Sequence, residues 1–378
     1  MREILSGNEA IARGAYEAGV KVASAYPGTP STEILENVIF YKEINASWAP
    51  NEKVALEVGI GASFAGARAL VAMKHVGVNV AADPLFTLSY TGVKGGLVLV
   101  TADDPEMHSS QNEQDNRNYA KFAKVPMLEP ADSHECKEFT RLAFELSEQY
   151  DTPVFLRTTT RISHSKSIVT LADPVCDLPV PALVKNAAKQ VMLPSNARVR
   201  HPLVEERMRK LSSAANTMAV NRMEVRDTKV GIITSGVCYH YVREIFPNFS
   251  TLKLGMLHPL PMEMIREFAA AVDRLFVVEE LDPFFEEQIK AQGISISGKD
   301  FLPLCGELTP ERIRKAFAGQ GIVVDSATAH EEQSSAVSLP GRPPNMCPGC
   351  PHRGVFYALK HLNAYVTGDI GCYTLGFL

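Results

Sequence analysis

Three cysteines near the end of the chain have a spacing that could hold a metal. Cys347 and Cys350 stand two residues apart in "PPNMCPGCPHRGV", and Cys372 follows in "GDIGCY". Thiolates at this spacing suit zinc or an iron–sulfur cluster. The residues also admit a zinc set of Cys347, Cys350, His352 and Cys372, or thiols that bind no metal. A different chemistry is suggested near the start. In "SAYPGTPSTEI" an apolar stretch runs through Pro27, Gly28, Thr29 and Pro30 into Ser31 and Thr32. Hydroxyls and backbone N–H groups at a helix start can receive a ligand, although a Pro-rich turn with a Ser/Thr cap explains the same residues. "SWAPNEKVALEVG" puts Glu52 at the start of another helix. There a carboxylate ordinarily just complements the helix dipole, worth roughly 0.3–1 kcal/mol. A proton-sharing role would require it to be partly desolvated. Lys74 and His75 close the apolar run "ALVAMKHV", either lining a site for an anion or carrying surface charge.

These residues need a scaffold, and the patterning supplies one. "SGNEAIARGAYEAG" begins with Ser6 as N-cap and Glu9 three residues on, a capping box, and Gly19 falls where the helix should stop. "VKVASAY", "ALVAMKHV", "GLVLVTA" and "PVFLRTT" read as short buried strands. The helix "EKVALEVGIGASFAGARA" is dense in Gly and Ala, which permits close packing on a sheet. Strands alternating with helices predict an α/β fold with a parallel sheet covered on both faces. The pattern weakens between about 160 and 225, where "RHPLVEERMRKLSSAANTMAV" predicts an amphipathic helix on a domain surface. It resumes with "TKVGIITSGVCYHYVREIF" and "RLFVVEELDPFFEEQIKA". "SATAHEEQSSAVSLPGRPP" is a polar linker. Beyond it, "GVFYALKHLN" predicts a helix, and Tyr365 and Val366 a short strand that folds Cys372 back toward Cys347 and Cys350.

The bulk numbers exclude several classes. The chain has 378 residues, 46% of them apolar, so a large core and more than one domain are expected. A net charge of -5 without a basic block gives no reason to expect a nucleic-acid partner. No apolar run approaches the roughly 18 residues of a membrane span, and "MREILSGNEA" lacks signal-peptide character. A cytosolic (cytoplasmic) protein is expected. Of the seven cysteines only the last three cluster, which favours metal or redox use over a disulfide frame.

"YPGTPS" followed by "NE" before a Gly/Ala-rich helix resembles the pyrimidine-binding domain of thiamine diphosphate enzymes. "MKHVGVNVAADPLFTLSYTG", "NEQDNRNYAKFAKVPMLEP", "VFLRTTTRISHS" and "MCPGCPHRGVFYAL" narrow the resemblance to the 2-oxoacid:ferredoxin oxidoreductases, in the branch that acts on indolepyruvate. It runs over essentially the whole chain. It implies successive doubly wound, mainly parallel-sheet α/β domains. Residues 1–165 would form the pyrimidine-binding domain, 166–225 a connector, and 226–325 a domain like the C-terminal one of transketolase. Residues 326–344 would be a linker and 345–378 the truncated start of a diphosphate-binding domain.

The implied reaction is oxidative decarboxylation of arylpyruvates with coenzyme A and ferredoxin, giving an aryl-acetyl-CoA and CO₂. The implied partners are a smaller subunit, ferredoxin, the arylpyruvate and coenzyme A. The cofactors would be thiamine diphosphate with Mg²⁺ and a 4Fe–4S cluster. By the resemblance, Glu52 activates the cofactor by sharing a proton with its aminopyrimidine ring, and Pro27 and Gly28 help to hold it. Thr29, Lys74 and His75 face the substrate. Cys347, Cys350 and Cys372 match three of the cluster's four thiolates. The fourth, like the Gly-Asp segment for Mg²⁺ and diphosphate, is expected outside this sequence. Asn112, Asp115 and Arg117 either reach the cleft or form a solvated polar loop. Glu279, Glu280 and Asp282 are expected on a solvated strand edge. Two other functions stay open: action on another 2-oxoacid, and a chain that serves only subunit assembly.

Overall fold

The structure is a computed structural model and describes residues 1–175, 180–181, 183–322, 340–341, 345–368 and 371–376. Cys176, most of the expected linker 326–344 and residues 369–370 of the "GDIGC" turn lie outside the described residues. Two compact units are present, Met1–Val324 and Asp325–Leu378.

The strands of the first unit are β1 (Arg2–Ser6), β2 (Val22–Ala25), β3 (Asn45–Trp48), β4 (Ala69–Lys74), β5 (Leu97–Asp103), β6 (Met127–Leu128), β7 (Val154–Thr159), β8 (Lys166–Thr170), β9 (Arg222–Glu224), β10 (Asp227–Ser235), β11 (Phe249–Leu254), β12 (Met256–His258) and β13 (Arg274–Val278). Seven form one sheet in the order β12-β6-β7-β5-β4-β2-β3. Every pairing in it is parallel except β12 with β6. Four form a second sheet, β13-β10-β11-β9, parallel apart from its edge strand β9. Strands β1 and β8 make a small antiparallel pair. The α/β class with a mainly parallel sheet is therefore as the sequence predicts.

Local signals place the elements. Ser6 caps helix Gly7–Glu17 in a complete capping box with Glu9, and Gly19 follows with φ 69°. Helix Glu52–Ala65 starts at Asn51, whose side chain accepts from Val54 N–H, and its buried face is the small-residue stripe Ala55, Gly59 and Ser63 with Leu56. Strands β4 and β5 are buried at every position, as expected where helices cover both faces of a parallel sheet.

The two sheets share one core. Ile233, Leu252, Leu254 and Val277 of the second sheet belong to the same apolar cluster as Met127 and Phe155 of the first. Strand β12 leaves the second segment to become the edge of the seven-stranded sheet. The stretch read as a surface connector is also integrated: β8 pairs with β1 and β9 extends the second sheet. Its helix starts earlier than the periodicity predicts, at Pro194, passes through Pro202 and ends at Ala215, with Val204, Arg207 and Leu211 buried.

In the second unit, helix His352–His361 buries none of its residues. Residues 364–368 are neither helix nor strand, so the short strand predicted at Tyr365 and Val366 does not form.

Candidate functional site

Parallel strands β2, β3 and β4 run in register, Ala25 pairing with both Trp48 and Ala72, and β4 continues two residues further to Lys74. Their carboxyl ends lead into the three segments singled out in the sequence, and ligands of open α/β sheets bind at such ends.

The turn after β2 consumes most of its own polar groups. Gly28 N–H donates to Thr32 Oγ1 at 2.9 Å, and Gly28 O accepts from Ser31 N–H at 2.8 Å and Ser31 Oγ at 2.9 Å. Ser31 and Thr32 thus hold the turn. Pro27 and Thr29 remain exposed, and the Thr29–Pro30 peptide is cis. Gly28 lies against Lys74 so closely that a Cβ there would sit 2.9 Å from Lys74 Cβ. The turn and the end of β4 therefore form one surface.

Glu52 approaches the same surface from its helix start. Its carboxylate rests on Gly77, where a Cβ would meet Glu52 Cγ and Oε1 at 2.6 Å. Only a residue without a side chain leaves room for it. Glu52 is 9% exposed and, among the described residues, bonds no other side chain. Burial raises its proton affinity, opposed by its own backbone N–H. Desolvation here outweighs the helix-start position, which favours the anion.

Lys74 and His75 are buried, not surface charges. Lys74 Nζ donates to Ser109 O at 2.6 Å. Burial lowers its pKa while Asp104 attracts the cation. His75 Nε2 lies 3.2 Å from Asn112 O. A carbonyl can only accept, so this nitrogen carries the proton. Burial lowers the imidazole pKa, which keeps the ring neutral at pH 7. Asp104 is held by Ser109 N–H at 2.9 Å, Ser110 Oγ at 2.5 Å and Thr160 Oγ1 at 2.6 Å. Burial works against its charge, but these donors and Lys74 prevail and its pKa falls.

Of the polar residues expected in solvent, Asn112 and Asp282 are exposed, but the other four are not. Asp115 and Arg117 are 8% and 1% exposed, and Glu279 and Glu280 are 2% and 7% exposed. Arg117 donates to both Asp115 oxygens, to Glu279 Oε2 at 2.6 Å, and to the carbonyls of Glu280 and Asp282 at 2.7 and 3.0 Å. Its guanidinium lies 5.1 Å from the ring centres of both Phe284 and Phe285. Glu279 also accepts from Phe285 N–H and Glu286 N–H. The reading of Glu279 and Glu280 as a solvated edge is corrected by this long-range pairing.

A second buried group was missed in the sequence. Arg157 of β7 donates to Asp103 Oδ2 at 2.7 Å and to Glu129. Asp103 is pushed up to about 6, burial being the main cause and Arg157 the main opposing one. One signal was available: an arginine inside the apolar strand "VFLRTT" must find a partner or stay exposed.

Glu280 is pushed up to about 7, by burial first, then by the Glu129 and Glu307 carboxylates; Leu308 N–H and Arg157 oppose the shift. Its folded pKa lies above the ordinary 4.5. Its contribution to stability is thus fully present below pH 4.5 and lost as pH rises through 7. Glu280→Gln keeps an acceptor for Leu308 N–H. The variant should match the parent in urea denaturation near pH 4.5 and exceed it by about 3 kcal/mol at pH 8. An unchanged difference at the two pH values would contradict this account.

The three thiols lie in the second unit. Cys347 and Cys372 are exposed and Cys350 is half-buried, with its Sγ 3.4 Å from His352 Nδ1. Among the described residues the one set of three ligand atoms within 4.8 Å of one another is Glu106, His108 and Glu307, which contains no cysteine. Cys347, Cys350, His352 and Cys372 are thus not drawn to the close spacing of a zinc site, whereas a 4Fe–4S cluster takes thiolates set further apart. The helix between Cys350 and Cys372 buries nothing, but the turn that carries Cys372 returns to it: the Tyr373 ring lies 5.3 Å from that of His352 and 6.2 Å from that of Phe356. The Glu106–His108–Glu307 set does not suit Mg²⁺ either, because Arg161 already forks onto both oxygens of Glu307. The aminopyrimidine side of thiamine diphosphate does fit: it needs one carboxylate of raised proton affinity without a competing partner, and Glu52 supplies it.

Comparisons with known proteins show the family. A family model described as "Pyruvate flavodoxin/ferredoxin oxidoreductase, thiamine diP-bdg" matches residues 13–230. The chain is 43% identical to the indolepyruvate oxidoreductase subunit IorA of Archaeoglobus fulgidus, over 98% of this chain and 64% of the relative. It is 42% identical to the subunit of the same name from Thermococcus kodakarensis, over 100% of this chain and 62% of that one. The chain thus spans a little under two thirds of the length of these curated relatives. A solved 2-oxoglutarate:ferredoxin oxidoreductase from Magnetococcus marinus superposes with a TM-score of 0.67 at 18% identity, covering 84% of this chain and 65% of that one. At that identity the match speaks for the fold alone. No helix among the described residues is long and apolar enough to cross a membrane.

Proposed function

The chain belongs to the thiamine diphosphate-binding 2-oxoacid:ferredoxin oxidoreductases, and on that premise we propose that it is the cofactor-activating part of an enzyme that oxidises arylpyruvates, indolepyruvate among them. Coenzyme A would take up the acyl group, carbon dioxide would leave, and ferredoxin would accept two electrons one at a time. The observation that carries this reading is Glu52, a buried carboxylate of raised proton affinity without a side-chain partner among the described residues, packed on Gly77, three residues beyond Lys74.

Each residue has a task in this reading. When bound, thiamine diphosphate supplies the carbon nucleophile and electron sink for decarboxylating a 2-oxoacid. Glu52 hydrogen-bonds the aminopyrimidine ring and passes a proton to and from it. Gly77 leaves the carboxylate its place. Pro27 and Gly28 shape the wall of the turn. Lys74 and the exposed Thr29 hydroxyl bind the carboxylate and keto oxygens of the substrate. His75 stays neutral and keeps the Lys74 strand end fixed through Asn112 O. Diphosphate and Mg²⁺ are bound by protein outside this set of residues, and no step is routed through the three thiols. A smaller subunit completes the assembly, as the naming of the relatives as subunits suggests.

The test is an anaerobic assay of the chain isolated with its native partners. Coenzyme A-dependent reduction of ferredoxin should be fastest with indolepyruvate or phenylpyruvate. Preference for pyruvate or 2-oxoglutarate would overturn the substrate assignment. Absence of any thiamine-dependent decarboxylation would favour a role in assembly alone.

A further inference from the structure

Residues 104–117 connect β5 to the helix Arg117–Ala123. Their middle, from Glu106 to Asn112, is largely exposed. Yet two carbonyls of this loop, Ser109 O and Asn112 O, hold the buried Lys74 and His75. An exposed loop exchanges such bonds readily for water unless something anchors it.

Both ends are anchored by the second α/β segment. At the far end Arg117 is gripped by Glu279 and by the carbonyls of Glu280 and Asp282, and Asn118 Nδ2 donates to Asp282 Oδ2 at 2.9 Å. At the near end Glu307 N–H donates to Glu106 Oε2 at 3.2 Å, and His108 Nε2 meets Glu307 Oε2 at 3.3 Å. There Glu106 and Met107 adopt φ of 69° and 55°, a left-handed conformation that non-glycine residues hold only when their surroundings impose it. Between the clamps Asn116 Nδ2 bonds Thr101 Oγ1 at 2.5 Å and His75 O at 3.3 Å, tying the loop to the ends of β4 and β5.

We propose that residues 104–117 are a positioning strap: the second α/β segment, through Glu279 and Glu307, fixes the loop whose carbonyls orient Lys74 and His75. Its relevance to turnover rests on the substrate-facing role given above to Lys74. Neither Glu279 nor Glu307 touches the reacting atoms. They act through the strap, so contacts made on β13 and beyond set the geometry at the end of β4.

The experiment releases each clamp in the full chain. Glu307→Gln loosens the near end. That variant also carries Glu106→Ala, which removes the acceptor for Glu307 N–H. At the far end the triple variant Asp115→Asn, Arg117→Met, Glu279→Gln removes the grip without stranding a buried charge. Amide exchange by mass spectrometry should rise at least about tenfold across residues 105–114 in both variants, with β4 and β5 unchanged. The His75 ring resonances should shift as its bond to Asn112 O loosens. In the complete enzyme the KM for the 2-oxoacid should rise more than kcat falls. Unchanged exchange in residues 105–114 would overturn the proposal. So would a uniform rise throughout the chain, the mark of a merely structural role. Exchange and ring resonances require no turnover, so a failed substrate assignment would leave them intact and the two failures can be told apart.

Discussion

Glu52→Gln is expected to fold normally and to abolish almost all turnover in the complete enzyme. The carboxylate is buried over Gly77, and desolvation raises its proton affinity, in the direction a proton-sharing role needs. Glutamine fills the same space and keeps a hydrogen bond but cannot pass a proton. Loss of one proton-transfer group costs typically 10²–10⁴-fold. The loss here should exceed that range, because the cofactor would rarely reach its reactive form. A carboxyl whose folded pKa is raised gives up stability as pH rises through that pKa. The variant should therefore be at least as stable as the parent at pH 8. Steady-state rates with thermal unfolding on the same preparation decide the matter. Near-normal turnover would remove Glu52 from the mechanism, whereas a collapse in stability would mean that its role is structural.

The largest stability effect is expected from Arg157→Met. Arg157 is 2% exposed and stands between Asp103 and Glu129, themselves 0% and 2% exposed. Removing the cation leaves two carboxylates facing each other out of water. Breaking a buried pair in this way costs about 3–5 kcal/mol. The sign of the pH dependence follows. Asp103 titrates at about 6 even with Arg157 present, and without it both carboxylates take up protons at higher pH. Protonation relieves the repulsion, so the deficit should be greatest at pH 8 and shrink toward pH 5. Urea denaturation at both values measures it. A deficit below about 1 kcal/mol, or one independent of pH, would show that the group is not the dry ion cluster described.

What the sequence determined by itself was local or periodic. The capping box at Ser6 and Glu9 lies within a few residues of the N–H groups it satisfies, so it was legible without any tertiary information. The buried runs that became β4, β5 and β7 carried their burial in their composition. Parallel order then puts the ends of β2, β3 and β4 on one side, which is why Gly28, Glu52 and Lys74 could be expected to meet. The tertiary structure alone decided which charges are dry. Arg117 and Glu279 are 162 residues apart in the chain, and Arg157 and Glu129 sit on different elements. In the sequence Arg117, Glu279 and Glu129 read as ordinary polar residues, and Arg157 inside "VFLRTT" signals only that it needs a partner, because burial of a charge depends on which distant partner folding delivers. The spacing of the cysteines is likewise a local property, and what the tertiary structure adds is the return of the Cys372 turn, where ring contacts hold Tyr373 against His352 and Phe356.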